Sequence, residues 1–219
     1  RGEDLKGIQK QGLTLEKMWN KTEENISIPA TDMEHYAEHP DVIFVCVKGY
    51  SLQETIPFIK RIARKNTIVI PVLNIYGTGG KMQKELPDLL VTDGCIYVSA
   101  NIKEPGKLLQ HGQILHIVFG VRDKAEFRPE LKEIQKDLCD SHIDGTLSEN
   151  IRREALEKFS YVSPIGAAGL YYHATAADFQ KEGEARELFK TMVKEIAALA
   201  EAMGVPFQKD MAEVNLKIS

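Results

Sequence analysis

The chain has 219 residues, 43% of them hydrophobic and 27% charged, with a formal net charge of -4. That balance belongs to a globular protein with enough chain for one large domain or two modest ones. The acidic excess and the lack of any basic stripe exclude general nucleic-acid or membrane-surface binding, and the longest apolar runs are too short to span a bilayer.

The sequence carries no secretory signal pattern and no internal repeat. Its three cysteines, Cys46, Cys95 and Cys139, are widely spaced and odd in number. Two of them lie in apolar runs, which predicts reduced core thiols and a cytoplasmic protein. The chain opens on Arg1 rather than Met and stops at "MAEVNLKIS", within a helix-like pattern. It reads as a piece of a longer protein.

In chain order, the first strong signal is "DVIFVCV" (41–47). A continuous β-branched run of this kind fits a strand buried on both faces, as in a parallel sheet. Next, Leu52, Ile56, Ile59 and Ile62 recur at helical spacing, with basic residues in the closing turn. Pro57 in this stretch requires a first-turn position or a kink. A second apolar run, "TIVIPVL" (67–73), leads into "NIYGTGGKM", and a short helix pattern follows near 80–86. A third run, "CIYVSA" (95–100), completes a strand-helix-strand-helix-strand order that predicts right-handed βαβ units.

Past residue 105 the pattern changes. "KLLQHGQILHIVFG" reads as two short strands around Gly112, "RPELKEIQKDLC" as a helix, and "SHIDGTL" as a strand or loop. From Ser148 onward the pattern is helical, interrupted at "YVSPIGAAG" and "QKEGE". Leu188, Met192, Val193, Ile196, Ala200 and Met203 line one helical face. These patterns place a domain boundary near residue 148. The expected division is an α/β, Rossmann-like parallel-sheet domain over 1–148 and an all-α domain over 149–219. So short a helical part must pack on the first domain, on further chain or on another subunit.

In an open parallel α/β sheet, ligands bind beyond the carboxyl ends of the strands. Here those ends are Lys48-Gly49-Tyr50, Asn74 and Ser99-Ala100-Asn101. Polar residues at such positions are either ligand contacts or solvated loop starts. The glycine cluster after Asn74 is not a phosphate-binding Walker loop, because Met82 stands where Ser or Thr must hold Mg²⁺ and the spacing from Gly77 is wrong. It reads instead as a tight strand-to-helix turn. Asn74 offers both a donor and an acceptor above the sheet.

A second signal lies in "LSENIRREALEKF". At about 100° per residue, Ile151, Ala155 and Phe159 form an apolar stripe, and Lys158 lies within it. A lysine so placed snorkels, pairs or faces a ligand cavity. Glu154, four residues earlier, is the candidate partner. A desolvated lysine is also a suitable proton donor to a developing alkoxide. His35 and His39 are spaced i, i+4 but have no third ligand near them, which argues against a metal site.

The order "HPDVIFVCVKGY", "VIPVLNIYG", "CIYVSANIKEPGKLLQHG", "NIRREALEKF" resembles the ketopantoate reductase (2-dehydropantoate 2-reductase) family over nearly the whole chain. Its most specific parts are the V-K-x-Y strand end, the L-N-x-x-G loop and the E-K-F helix. The resemblance implies an N-terminal Rossmann domain, lacking its first βαβ unit here, and a C-terminal helical domain like that of 6-phosphogluconate dehydrogenase. The activity implied is the NADPH-dependent reduction of a 2-keto acid, 2-dehydropantoate to pantoate, in pantothenate and coenzyme A biosynthesis. A cytoplasmic homodimer acting on a small molecule fits that reading.

Residue by residue, Lys158 resembles the lysine that protonates the carbonyl oxygen, and Asn74 the asparagine that touches both nicotinamide and substrate. Lys48 resembles the strand-end lysine near the cofactor, and Ala100 the backbone position that holds its carboxamide. Arg1 is placed like the arginine that selects the 2′-phosphate of NADPH.

The sequence also departs from the family pattern. The G-x-G-x-x-G fingerprint belongs some thirty residues before Arg1, and a late segment with a substrate serine and glutamate belongs after residue 219. The asparagines expected four and eight residues after the lysine are Val162 and Gly166, with Ser163 as a partial substitute. Two alternatives follow: a non-catalytic NADP-binding sensor on the same fold, and a reductase for a bulkier or less polar keto acid with Val162 lining its pocket.

Overall fold

The structure is a computed structural model that describes residues 2–217. Its centre is a parallel three-stranded sheet of β3 (Val42–Val45), β4 (Ile68–Pro71) and β5 (Leu90–Val91), in that order. The middle strand explains why its sequence is apolar without alternation. Ile68, Ile70 and Val72 face a core shared with Phe119, Leu131, Ile134 and Leu138. Val69 and Leu73 point the other way, into a core with Ile56, Ile59, Met82 and Leu86. Both faces are covered, so both must be hydrophobic.

Helix α2 (Leu52–Ile62) and helix α3 (Thr78–Glu85) supply that second core. The i, i+3, i+4 spacing of α2 buries Ile56, Ile59 and Ile62 as its sequence requires. Pro57 sits in the second turn of α2, neither in the first turn nor at the end, where it removes one intrahelical hydrogen bond.

A second sheet has five strands. It runs β2 (Thr22–Ile26), β1 (Leu13–Lys17), β7 (Lys107–Gly120), β6 (Asp93–Glu104), with β8 (Asp144–Leu147) also pairing with β7. β1 and β8 lie parallel to successive halves of β7, and β6 lies antiparallel along its length. Helix α1 (Gly2–Gln11) precedes β1, and α4 (Glu130–Asp140) joins β7 to β8, burying Leu131, Ile134 and Leu138.

Two expectations are corrected here. The third parallel strand is not 95–100 but the two-residue β5; residues 95–100 form one arm of a long hairpin. The "KLLQHGQILHIVFG" stretch is one 14-residue strand, with Gly112 inside it rather than between two strands. The apolar content of 95–100 is real, but strand direction depends on the partner, which a local pattern does not contain.

Beyond β8 the elements are helical: α5 (Ile151–Tyr172), α6 (Glu184–Ala202) and α7 (Met211–Leu216). Helix α5 runs unbroken through "YVSPIGAAG", contrary to the interruption its Pro and Gly suggest. Proline in a helix interior costs about 3 kcal/mol. The following residues Ile165 and Ala168 pack into a core with Phe179, Phe189, Val193 and Met211. That burial outweighs the local penalty. The "QKEGE" break stands, between a short 3₁₀ turn at Ala176–Gln180 and α6. Of the cysteines, Cys95 is buried, whereas Cys46 and Cys139 are exposed, so Cys46 is not the core thiol its apolar run suggests. Among the described residues no helix is long and apolar enough to cross a membrane.

Candidate active site

Two lobes meet where β4 ends and α5 passes over β6. β4 delivers Val72 and Leu73 into the cores and then turns, leaving Asn74 exposed at the sheet's carboxyl edge. The turn closes at Gly77, whose φ of +77° suits glycine and which caps α3. Inside the turn the Thr78 hydroxyl donates to the Ile75 carbonyl at 2.7 Å. The start of α3 is held from below. The Asp93 carboxylate accepts from the backbone N–H groups of Gly79 and Gly80, with the Arg122 guanidinium 3.6 Å away. Arg122 also donates to the Val91 carbonyl at 2.8 Å. Burial still pushes the Asp93 carboxyl up, against the pull of Arg122 and the two N–H groups.

From the other lobe, α5 starts at Asn150, whose side chain caps the Arg153 N–H, and is pinned by the fully buried Ile151. Two turns further on, Lys158 is only 8% exposed. Its Nζ donates to Asn74 Oδ1 at 2.8 Å and to the carbonyl oxygen of Ile96 on β6. The ammonium also sits 5.0 Å from the centre of the Tyr97 ring. Tyr97 in turn stacks on His116 at 5.5 Å. Burial pushes the Lys158 ammonium below the ordinary lysine value. Glu154 does not pair with it, as the i, i+4 spacing suggests; its carboxylate instead accepts from the Ser148 hydroxyl at 2.8 Å.

A small cavity, about 20 Å³, opens beside this contact. Its walls are Leu73, Asn74, Ile75 and Tyr76 from the β4 turn, Gly94 and Cys95 from β6, and Ala155, Lys158, Phe159 and Val162 from α5. The α5 set is spaced i, i+3, i+4, i+7, one helical stripe. Cys95 is held up to about 11 by burial and is hydrogen-bonded to the Tyr97 side chain.

Of the residues singled out from sequence, Asn74 and Lys158 come into direct contact across 84 positions of chain. Lys48 is exposed at the end of β3, one residue before Gly49. A Cβ on Gly49 would lie 2.3 Å from the Ile75 side chain, so the turns after β3 and β4 abut. Ala100 lies further out on the β6 arm, exposed and opposite Gln110, roughly 10 Å along the strand from Tyr97. Ser163 is half-buried and is not part of the cavity wall, which its neighbour Val162 lines. Arg1 lies outside the described residues. His35 and His39 make separate contacts, with Asp32 and the Ile62 carbonyl. Among the described residues no cluster of His, Cys, Asp and Glu could hold a metal ion.

Sequence reading missed Ile96, Tyr97 and Cys95 as site residues. Their signal was the alternation of 95 and 97 on one strand face, which becomes informative only once that face is known to meet α5.

The model of the N-terminal part of ketopantoate reductase PanE/ApbA matches residues 1–124, and that of the C-terminal part matches residues 150–219. The chain belongs to the ketopantoate reductase family. A relative is the 2-dehydropantoate 2-reductase of Aquifex aeolicus strain VF5, 20% identical over 197 residues, which cover 89% of this chain and 62% of that protein. The chain thus spans just over three fifths of that relative's length.

Among solved structures, a D-mandelate dehydrogenase with NADH and anilino(oxo)acetate superposes with a TM-score of 0.86 at 17% identity, covering 99% of this chain and 69% of that one. A PanE/ApbA family ketopantoate reductase from Ralstonia eutropha JMP134 gives 0.85 at 18% identity, covering 100% and 70%. At such identities these likenesses establish the fold: a mixed α/β architecture with a parallel sheet and a helical C-terminal region. At the carboxyl end of the parallel sheet Lys48 is exposed, and Asn74 borders the cavity beside α5.

Proposed function

We propose that the protein containing this chain is an NADPH-dependent oxidoreductase that reduces a 2-keto acid to the 2-hydroxy acid, with 2-dehydropantoate or a related compound as substrate. The observation that carries this reading is the 2.8 Å bond between Lys158 and Asn74, formed by the end of a parallel strand and a helix of the other lobe. The bound nicotinamide supplies the hydride.

The chain's own residues do the rest. Lys158 is desolvated, so its ammonium is a stronger acid than a surface lysine. Its Nζ donates to Asn74 and to the Ile96 carbonyl. A substrate carbonyl oxygen entering beside Asn74 takes over as acceptor. As negative charge develops on that oxygen, the ammonium stabilises it and then gives up its proton at Nζ. The released Asn74 amide retains a donor and an acceptor to orient the keto acid. Lys48 is the residue we assign to the cofactor's phosphate side, and the backbone at Ala100 to the neighbouring wall. Ser163 stands as an auxiliary polar group, and Arg1 as the selector of NADPH over NADH. We assign residues 1–148 to cofactor binding and 149–219 to substrate binding and homodimerisation, in the cytoplasm.

The test is NADPH oxidation by the full natural protein, followed optically against a panel of small 2-keto acids. Turnover on at least one is the expected result. Thermal stabilisation by NADPH with turnover on none would leave a non-catalytic nucleotide sensor as the better account.

A further inference from the structure

We infer that His116 is a positioning residue for the proton donor: it holds the Tyr97 ring against the Lys158 ammonium. The inference rests on the reading of Lys158 as the group that gives up its proton.

Neighbouring strands of the second sheet build the arrangement. Tyr97 of β6 lies directly opposite His116 of β7, and His116 lies opposite Asp144 of β8. Side chains paired in this way share one face of a sheet. The two rings lie nearly parallel, their planes 20° apart and their centroids at 5.5 Å. The imidazole is itself fixed from β8. Its Nε2 is 3.0 Å from the Thr146 hydroxyl, and its Nδ1 is 3.8 Å from the Asp144 carboxylate. Lys158 meets the same row from α5, with Nζ over the Tyr97 ring at 5.0 Å from its centre.

An aromatic ring attracts a cation through its face, while its edge carries the opposite sign. The contact with Lys158 therefore depends on how the Tyr97 ring is turned. That turn is the terminal side-chain torsion, which is broad when nothing restrains it. The Cys95 thiol is hydrogen-bonded to the Tyr97 hydroxyl. The hydroxyl lies on the axis of the turn, so this bond leaves the plane of the ring free. The stack on His116 fixes it. Charges also face the ring: Glu154 and Glu157 from α5, and the Cys95 thiol from β6 itself. They act through charge, whereas His116 acts through the plane of its ring, and the two effects are separable.

The test reads Lys158 directly. In the full natural protein carrying ¹³C at lysine Cε, the Lys158 signal is assigned by its loss in Lys158→Ala and titrated by NMR. His116→Leu keeps bulk but loses the aromatic plane, and should lower the titration midpoint by about half a pH unit, the size of a weakened cation–π contact. His116→Phe loses the same ionisable group and the same Thr146 contact but keeps a plane, and should restore the midpoint. In a Tyr97→Leu background, His116→Leu should add no further shift. If the leucine variant does not fold, Thr146→Val, which releases the imidazole, should lower the midpoint in the same direction. An unmoved midpoint in His116→Leu, even with a lower melting temperature, would overturn the inference and leave a sheet contact only. Equal shifts with leucine and phenylalanine would overturn it in favour of a charge effect. The readout needs no turnover. An unmutated protein that reduces no 2-keto acid would overturn the reductase reading, while the hold of His116 on Tyr97 would still stand or fall by the titration.

Discussion

Replacing Lys158 by alanine removes the cation that borders the proposed carbonyl site. Loss of a preorganised donor to a developing oxyanion typically raises the barrier by about 2.7–4 kcal/mol, a hundredfold to thousandfold in kcat. The structure favours the lower end. Truncating a lysine that is 8% exposed leaves a gap bordered by the Asn74 amide and the Ile96 carbonyl, two polar groups that can hold a water molecule. That water would supply a weaker donor in the ammonium's place. Stability should change little, because the cost of burying the ammonium disappears along with its hydrogen bonds. The expected result is a fall in kcat of at least about a hundredfold, near-normal NADPH affinity by fluorescence titration, and partial recovery of kcat with added ethylamine. Turnover within tenfold of the unmutated protein, with folding intact, would remove Lys158 from the chemistry and with it the main argument for this site.

Five further outcomes follow from contacts described in the structure. Catalysis needs the ammonium, and burial holds its pKa below the usual lysine value, so kcat should fall as pH rises through a limb below the ordinary lysine range near about 10.4. Asn74→Asp should move that limb to higher pH by adding negative charge beside Nζ, and Asn74→Ala should move it lower; shifts of one sign in both variants would contradict the assignment. Tyr97→Leu, which removes the aromatic face 5.0 Å from Nζ, should likewise lower the limb, whereas Tyr97→Phe should leave it in place. Gly79→Ala would set a Cβ 2.0 Å from the Thr92 carbonyl oxygen and 2.4 Å from the Asp93 carboxylate, so it should lower the melting temperature. The size is on the order of 3 kcal/mol, or roughly 10 °C for a chain this long; an unchanged melting temperature would refute the packing described there. Asp178 is held down to about 2 chiefly by the Thr175 backbone N–H, then by its hydroxyl and by Lys181. Its stabilisation is therefore present above the ordinary aspartate pKa and is lost as pH falls toward 2. Asp178→Ala should flatten the acid side of the stability curve, as followed by circular dichroism.

Local sequence was sufficient wherever a short-range pattern had one solution. The β-branched runs at 42–45 and 68–71 both form strands, but only the second is buried on both faces, since Phe44 of β3 is exposed. The helical spacing from Ile151 placed Lys158 among apolar neighbours before any coordinate was known, because side-chain direction along a helix follows from its 3.6-residue turn. The motif order around Asn74 and Lys158 also carried the family. What the tertiary structure decided was every question of partnership. It assigned β5 rather than 95–100 to the parallel sheet and carried α5 through Pro164. It gave Glu154 to Ser148 and turned Tyr97 and the Ile96 carbonyl toward Lys158. Each of these depends on free-energy contributions from groups far apart along the chain. Strand direction, the burial that offsets a proline and the partner of a buried cation arise only when distant segments pack, so no window of neighbouring residues encodes them.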